Sequence, residues 1–185
     1  MTLNDNVGSC IEGFVKIWCP KTGKIFLNKR NAIHAENLSQ SITQCITNNS
    51  GYISEMHFGN GGTTTDAIGN IIYRNTNTSG SGSDLYAPTH YKVVDQNENN
   101  NDVNNKIEFS HTADTNYSDI IITATIAINE PVVNESYSFD ELGLKSKGDS
   151  QGTGLLLSHV IFHPITKNST NEVQVVYTIR FRIGL

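Results

Sequence analysis

The chain has 185 residues, of which 37% are hydrophobic, which is enough for one domain with a core of moderate size. Its net charge of −5 argues against a nucleic-acid-binding surface, because such surfaces carry a basic excess. The apolar run 120–128 is far too short to cross a membrane, and the N-terminal residues lack the basic and apolar regions of a secretory signal, so we expect no membrane insertion and no secretion.

The first predicted element is a β-hairpin at 13–29, built from GFVKIW, the turn CPKTG and KIFLNK. Polar and apolar residues mix on both sides of its strands, so the hairpin suits an arm that lies on a partner protein as well as a sheet edge. We therefore assign 1–30 to an N-terminal segment with a β-hairpin arm. The residues predicted here to form a protein–protein interface are Phe14, Lys16, Trp18 and Phe26.

One amphipathic helix is predicted at 32–47, directly after the hairpin. Asn31 is in the position of an N-cap, and the sequence NNSG at 48–51 ends the helical pattern. The helix is the first element of the second predicted unit, a β-sandwich domain at 31–185. The apolar residues that recur at helical spacing are Ala35, Leu38, Ile42, Cys45 and Ile46.

The rest of the chain has the pattern of β-strands separated by polar loops. The clearest strand is SDIIITATIAI, in which apolar residues recur at every second position. The last strand, EVQVVYTIRFRI, has one apolar face and one half-polar face, and we add Arg180 and Arg182 on that second face to the predicted interface. A strand that only serves the core explains this pattern equally well. About eight strands with no helices between them predict a mainly β fold, an antiparallel β-sandwich of jelly-roll-like type.

The glycine-rich segment 59–65, GNGGTTT, follows a predicted strand and resembles a phosphate-binding loop at first sight. A P-loop ends in Gly-Lys-Ser or Gly-Lys-Thr, and no lysine is present here. No helix is predicted after the segment, so the N-terminal helix dipole that would stabilise a phosphate is missing as well. We interpret the segment as a turn in which glycines adopt positive φ angles.

Two candidate metal sites are incomplete. The loop that begins at Asp95 starts like a calcium-binding loop, but Asn100 and Lys106 occupy positions that require glycine and glutamate. His159 and His163 are four residues apart, which on a strand is a separation of about 13 Å and too far for one ion. We predict no bound metal.

The candidates for catalysis are also weak. The adjacent Asp140 and Glu141 are expected on opposite faces of a strand, and Ser158 is not part of a nucleophile elbow. We predict no catalytic residue and no cofactor. Three cysteines are too few and too irregularly spaced for a disulfide framework, and we expect free thiols in a reducing compartment; they are Cys10, Cys19 and Cys45.

Several phrases together resemble a known family. They are NAIHAEN, EMHFGNGGT, LYAPTHYKVV, FDELGLKS, LLSHVIFHPITK and VVYTIRF. This series is similar to a family of virion structural proteins of tailed bacteriophages, in particular T4-like phages of marine bacteria and cyanobacteria, and it covers the chain from Phe14 to Phe181. The resemblance implies a β-domain without catalytic residues in the tail, neck, baseplate or head surface of a virion that assembles in the host cytoplasm.

The sequence leaves several hypotheses open. The first is a non-enzymatic structural subunit of the tail, neck or baseplate, which packs against other virion proteins in a symmetric homo-oligomer without contacting nucleic acid or membrane. The second is a capsid decoration or head-fibre protein. The third is a carbohydrate-binding module for host-surface glycans, with an aromatic platform drawn from Tyr73, Tyr86, Tyr91 and Tyr117. An enzyme whose residues meet only in the fold is the last.

Overall fold

The computed structural model of the protein describes residues 8–48 and 50–184. This part of the chain contains the following helix and strands. They are β1 (Ser9–Trp18), β2 (Ile25–Arg30), β3 (Ala32–Ile33), α1 (Ala35–Asn48), β4 (Ile53–Gly59), β5 (Thr63–Thr65), β6 (Ile71–Tyr73), β7 (Pro88–Val93), β8 (Lys106–His111), β9 (Tyr117–Ile126), β10 (Tyr137–Ser146), β11 (Leu156–Lys167) and β12 (Val173–Ile183).

Two five-stranded antiparallel sheets form the sandwich. Sheet A has the strand order β2-β1-β12-β9-β8, and sheet B has the order β3-β11-β10-β4-β7. The chain passes from sheet A to sheet B between β9 and β10 and returns between β11 and β12, so β10 pairs with β11 while β9 pairs with β12. This wrapping of one strand pair across the other is the winding of a jelly-roll-like sandwich. The predicted fold class is confirmed.

The core lies between the two sheets and follows the alternation in the sequence. In β12 the residues Val173, Val175, Tyr177 and Ile179 are buried, whereas the residues between them are half-buried on the other face. Sheet B contributes an aromatic cluster in which Phe139 makes edge-to-face contacts with Phe58 and Phe162, at ring-centroid distances of 5.5 and 5.7 Å. Such contacts stabilise a core beyond simple burial of apolar area.

The N-terminal hairpin is an integral part of the sandwich. β1 and β2 pair with each other as predicted, but β1 also pairs with β12 along its whole length. Val15 and Ile17 are almost completely buried in the core. The structure therefore differs from a hairpin arm that lies beside a separate domain, because the apolar side of β1 supplies core residues; residues 1–7 of the predicted N-terminal segment lie outside the described residues.

The single predicted helix exists, but it begins at Ala35 and not at residue 32. Ala32 and Ile33 form β3 instead and pair with Ser158 and His159 at the edge of sheet B. His34 takes the capping role: its carbonyl accepts a hydrogen bond from the amide of Leu38 at 2.9 Å, and its Nδ1 accepts one from the amide of Asn37 at 3.3 Å. The prediction of Asn31 as N-cap is wrong because strand pairing holds the next two residues in an extended conformation.

The apolar stripe of α1 is only partly buried. Leu38 is buried, but Ile46 is 80% exposed, and Cys45 is exposed as well. All three cysteines are free, and Cys19 at the end of β1 is buried whereas Cys10 is exposed. None of the described helical residues makes a segment long and apolar enough to cross a lipid bilayer.

Candidate functional site

The outer face of sheet A, which points away from the core, carries five of the six predicted interface residues. The register of β1 and β12 places Phe14 opposite Thr178 and Trp18 opposite Gln174. Because side chains alternate along a strand, these residues share one face. The predicted interface residues on this face are Phe14, Lys16, Trp18, Arg180 and Arg182.

The tryptophan on this face is held in a fixed orientation. Its indole Nε1 donates a hydrogen bond to Oε1 of Gln174 at 3.2 Å, and the ammonium of Lys16 lies 4.8 Å from the ring centroid. Gln174 is held in turn by its Nε2, which donates to Oγ1 of Thr125 at 3.2 Å. Trp18 therefore presents a half-buried, oriented ring on a flat sheet surface.

An arginine toward the C-terminal end of β12 is fixed in the same way. Arg180 donates two hydrogen bonds to the carboxylate of Asp119, at 2.8 and 2.7 Å, and its guanidinium lies 4.1 Å from the ring centroid of Tyr117. The hydrogen bond from Arg180 lowers the pKa of Asp119 below its ordinary value. Two-point binding of this kind restricts the side chain, so the face is pre-organised and not a set of free surface charges.

Phe26 lies apart from the other five. It is half-buried and packs against the hydrophobic core, and the ammonium of Lys24 lies 5.1 Å from its ring centroid. A β-bulge between Ile17 and Trp18 shifts the register of β2 against β1 at this point, so simple alternation along β2 does not describe the position of Phe26. Its participation in an interface stays a prediction.

The outer face of sheet B is covered by the chain itself. All seven residues of β4 are buried, which is unusual for a strand in a two-layer sandwich. Two excursions fold back over this face: the segment 60–87 between β4 and β7, which includes the β5–β6 hairpin, and the segment 147–155 between β10 and β11. Polar and charged side chains beneath these segments are buried as a consequence.

Two adjacent carboxylates of β10 hold the glycine-rich turn in place. Asp140 accepts hydrogen bonds from the amides of Gly62 and Thr63, at 2.8 and 3.0 Å, and from the hydroxyl of Thr63. Glu141 accepts one from the amide of Gly61 at 3.1 Å. The backbone amides of this turn do surround an anion, and that anion is supplied by the protein's own side chains.

Two expectations about these residues are wrong. Asp140 and Glu141 do not point to opposite faces, because a β-bulge interrupts the pairing between Phe139 and Glu141 and turns both carboxylates toward the glycine turn. The glycines of the turn also do not adopt positive φ. They are required for close approach: a Cβ atom on Gly61 would lie 2.8 Å from the amide nitrogen of Ala87.

Glu141 is completely buried and is satisfied by four donors. Besides Gly61, it accepts hydrogen bonds from the amides of Tyr86 (2.9 Å) and Ala87 (2.8 Å) and contacts Nε2 of His159 at 3.0 Å. Burial raises the pKa of this carboxyl, but the hydrogen bonds from His159 and the three amides outweigh burial and lower the pKa below its ordinary value. The carboxylate therefore stays ionised and links β10, β11 and the covering segment.

A second buried pair lies beside it in β4. Nε2 of His57 is 2.6 Å from Oε2 of Glu55, and the same oxygen accepts a hydrogen bond from the amide of Gly152 at 2.9 Å. The ring of His57 stacks on Tyr91 with a centroid distance of 5.5 Å. Burial lowers the pKa of His57, although the hydrogen bond with Glu55 acts in the opposite direction.

These groups border a cleft of about 370 Å³, called here the His57 cleft. Nζ of Lys145 is held by Oδ2 of Asp84 and the carbonyl of Gly152, both at 2.7 Å. On the rim, the hydroxyl of Tyr91 donates to Oε1 of Gln151 at 2.6 Å. The residues that line the cleft are His57, Asp84, Pro88, Thr89, His90, Tyr91, Lys145, Gln151 and Gly152.

The structure brings few of the other histidines together. His159 contacts Glu141 in the interior, whereas His163 is exposed and contacts the hydroxyl of Tyr73 at 3.2 Å. Within residues 8–48 and 50–184, no three His, Cys, Asp or Glu side chains come together in an arrangement that holds a metal ion. Asp95 begins a loop in which its carboxylate caps the amide of Asn97 at 3.1 Å.

We found no match for the chain among protein-family models, curated proteins or solved structures. The resemblance to virion structural proteins therefore stays a prediction based on the quoted phrases.

Sequence reasoning missed the His57 cleft, because its residues come from five separate parts of the chain and form no motif. One signal was available in the strands. Glu55 and Lys145 are charged residues next to the apolar Met56 and Leu144 in their strands, and a charged residue that becomes buried needs a partner.

Proposed function

We propose that the protein is a non-enzymatic structural subunit of a tailed-bacteriophage virion, located in the tail, neck or baseplate. It packs against other virion proteins in a symmetric homo-oligomer and is assembled in the host cytoplasm. The sequence resemblance supports the assignment to a tailed-phage virion. The outer face of sheet A supports action through protein–protein packing.

The observation that carries this proposal is the composition and rigidity of that face. Trp, Tyr and Arg are the residues most enriched at the energetic centres of protein interfaces. Here Trp18, Tyr117 and Arg180 are all half-buried on one sheet surface and are fixed by hydrogen bonds or cation–π contacts. Ordering these side chains in advance lowers the entropy cost of docking a neighbour.

The first experiment looks for the chain in purified particles. Mass spectrometry of virions is expected to detect it, and cryo-EM is expected to place sheet A against a neighbouring subunit. Absence of the chain from purified virions contradicts the proposal. A position on the capsid surface selects the alternative of a capsid decoration or head-fibre protein over a tail, neck or baseplate subunit.

The second experiment tests the face itself with variants expressed during infection. Trp18→Ala and Arg182→Glu are expected to reduce incorporation into particles, since a tryptophan that acts as a hot spot contributes about 2 kcal/mol or more to binding. Lys21→Glu, in the exposed turn after β1, is the matched control and is expected to incorporate like the wild type. Thermal unfolding of each purified variant separates loss of folding from loss of contact, and equal incorporation of all three variants contradicts a role for this face.

A second candidate function is a carbohydrate-binding module, and the His57 cleft favours it. Tyr91 is 37% exposed at the rim, beside the polar groups of Gln151 and Asp84. An aromatic face with a few fixed polar groups is the usual construction of a sugar site. Tyr86 lies elsewhere: its ring is covered by the guanidinium of Arg74 at 4.8 Å.

A glycan array tests this candidate. If the cleft binds sugars, Tyr91→Ala abolishes binding, whereas Tyr117→Ala on sheet A leaves it unchanged. No signal for the wild-type protein on the array removes this candidate and leaves the structural proposal unaffected.

A further inference from the structure

A cleft at the side of the sandwich carries basic residues without a compensating carboxylate. It lies between β2 at the edge of sheet A, β11 in sheet B and the segment 73–76, which begins at the last residue of β6, and its volume is about 460 Å³. None of the residues that line it is an aspartate or a glutamate. We call it the basic cleft. The polar side chains that line it are Lys29, Tyr73, Arg74, Asn75, Thr76 and His163.

The cleft concentrates positive charge in a chain whose net charge is −5. Seven other cations of the described residues pair with carboxylates, such as Lys145 with Asp84 at 2.7 Å, whereas Lys16, Lys21, Lys24 and Lys167 do not. Neither Lys29 nor Arg74 forms an ion pair with a carboxylate of the described residues. Two cations therefore face one concave surface without an acidic partner there, which produces a local positive potential.

The chain holds these two cations in position while leaving donors free. Nζ of Lys29 donates one hydrogen bond to the carbonyl of Ile161 at 2.6 Å, and an ammonium has three N–H groups. The guanidinium of Arg74 rests on the ring of Tyr86, and its N–H groups donate no hydrogen bond to the described part of the chain. The hydroxyl of Tyr86 donates to the carbonyl of Asn75 at 2.9 Å, which fixes the ring under the guanidinium.

His163 and Tyr73 complete the wall with a polar pair. The hydroxyl of Tyr73 lies 3.2 Å from Nδ1 of His163. When the hydroxyl donates to Nδ1, the neutral imidazole carries its proton on Nε2 and offers another donor. Both residues are exposed, so a ligand reaches them without any opening of the sandwich.

We propose that the basic cleft binds an oxyanion group: the carboxylate of an acidic sugar, or a phosphate or sulfate ester. The planar guanidinium of Arg74 matches two oxygens of such a group, and Lys29 supplies a compact charge beside it. A volume of about 460 Å³ accommodates a group of the size of a monosaccharide. The site is independent of the assembly role proposed for sheet A.

The test is titration of the whole chain with three probes at low ionic strength, followed by NMR chemical shifts. The probes are inorganic phosphate, sulfate and glucuronate. Saturable binding is expected for at least one of them, with shifts centred on 73–76 and 161–163. A preference for glucuronate over phosphate and sulfate identifies an acidic sugar as the source of the group, and the reverse preference identifies an ester.

Variants separate a built site from general attraction of anions. Arg74→Gln is expected to weaken binding on the order of tenfold or more, because it removes a two-point charged contact. Arg74→Lys keeps the charge and is expected to recover only part of the affinity. Lys21→Gln changes the net charge equally at a distant exposed turn and is expected to bind like the wild type. The proposal is overturned if no probe binds saturably, or if Arg74→Gln and Lys21→Gln weaken binding to the same extent.

Discussion

Glu141 shows how a single side chain organises one side of this protein. It is fully buried, and its two oxygens accept hydrogen bonds from three backbone amides and contact His159. Burial of a charge is costly unless hydrogen bonds replace the lost water, and here all donors come from segments that are distant in sequence. The residue therefore connects the covering segment 60–87 to the strands beneath it.

Glu141→Gln is expected to destabilise the protein by about 3 kcal/mol, because an amide cannot accept from all four donors and leaves some of them unpaired. Equilibrium unfolding in urea measures the effect. Glu135→Gln is the matched control, since Glu135 is exposed in the β9–β10 connection, and its unfolding free energy should change by less than about 0.5 kcal/mol. Equal stability of the two variants contradicts a structural role for Glu141.

Individual residues were predictable where strict alternation applies. The faces of Trp18 in β1 and Arg180 in β12 follow from the sequence, since both strands pair regularly along their length in that region. The positions of Phe26 and Glu141 were not predictable. Each lies next to a β-bulge, where an extra residue shifts the alternation and no sequence signal marks the shift.

At the scale of elements, the glycine turn requires glycine because a side chain would not fit there, and not because of its backbone conformation. A Cβ on Gly61 would lie 2.8 Å from the amide nitrogen of Ala87 and 2.8 Å from Cβ of Tyr86. Contacts of this length force the covering segment away from Glu141. The turn was predictable from its composition, but its packing against 86–87 was not, because that contact joins segments whose approach the local sequence does not encode.

Gly61→Ala is expected to lower the free energy of unfolding by about 2 kcal/mol, as overpacking in tight sites does. The control is Gly82→Ala, at a glycine with no atom within 4 Å of the added carbon, and it should be neutral or slightly stabilising. Urea unfolding of both variants checks this. If Gly61→Ala leaves the free energy of unfolding unchanged, the turn accommodates the added methyl group and the argument from close packing is contradicted.

The helix illustrates the limit of boundary prediction. Its existence followed from apolar spacing, but strand pairing of Ala32 and Ile33 with β11 moved its start to Ala35. His34 then became the cap, with its ring nitrogen accepting from an amide. Histidine is not among the preferred cap residues, so tertiary pairing overrode the local signal at Asn31.

At the scale of the whole molecule, the two sheets have different relations to their surroundings. The outer face of sheet A is half-exposed and oriented for contact, whereas that of sheet B is sealed by polar loops over buried charged groups. The sandwich was predictable because alternating strands without intervening helices leave few alternatives. The covering of sheet B was not predictable, because the segments 60–87 and 147–155 have the composition of ordinary surface loops.

The groups buried under this covering of sheet B make the stability of the fold sensitive to acid. Burial lowers the pKa of His57 and His90 below the ordinary value of 6.5, so the unfolded chain binds protons more readily than the folded one below pH 6.5. Their contribution to stability is complete above pH 6.5 and is lost as the pH falls through their folded values. Below pH 4.5, protonation of Glu141, whose pKa is also lowered, removes further stability.

The expected result is a free energy of unfolding that falls between pH 7 and pH 5 and falls again below pH 4.5. His57→Gln is expected to reduce the first decline without abolishing it, since His90 still contributes. Lys145 and Glu55 still face the site in this variant. His111→Gln, at an exposed histidine of β8, should leave it unchanged. Urea unfolding at a series of pH values measures this, and identical profiles for both variants contradict the assignment to His57.

The three thiols differ in burial, so the number that can be alkylated reports whether the subunit is folded. Cys10 and Cys45 are open to an alkylating reagent in the native state, whereas Cys19, the residue after β1, is buried. A mass increment of two labels therefore marks an intact subunit, and a third label appears only when β1 detaches or the sandwich opens. Pulse alkylation can follow that third label inside an assembled particle, where the spectroscopic signal of one subunit cannot be isolated from those of its neighbours.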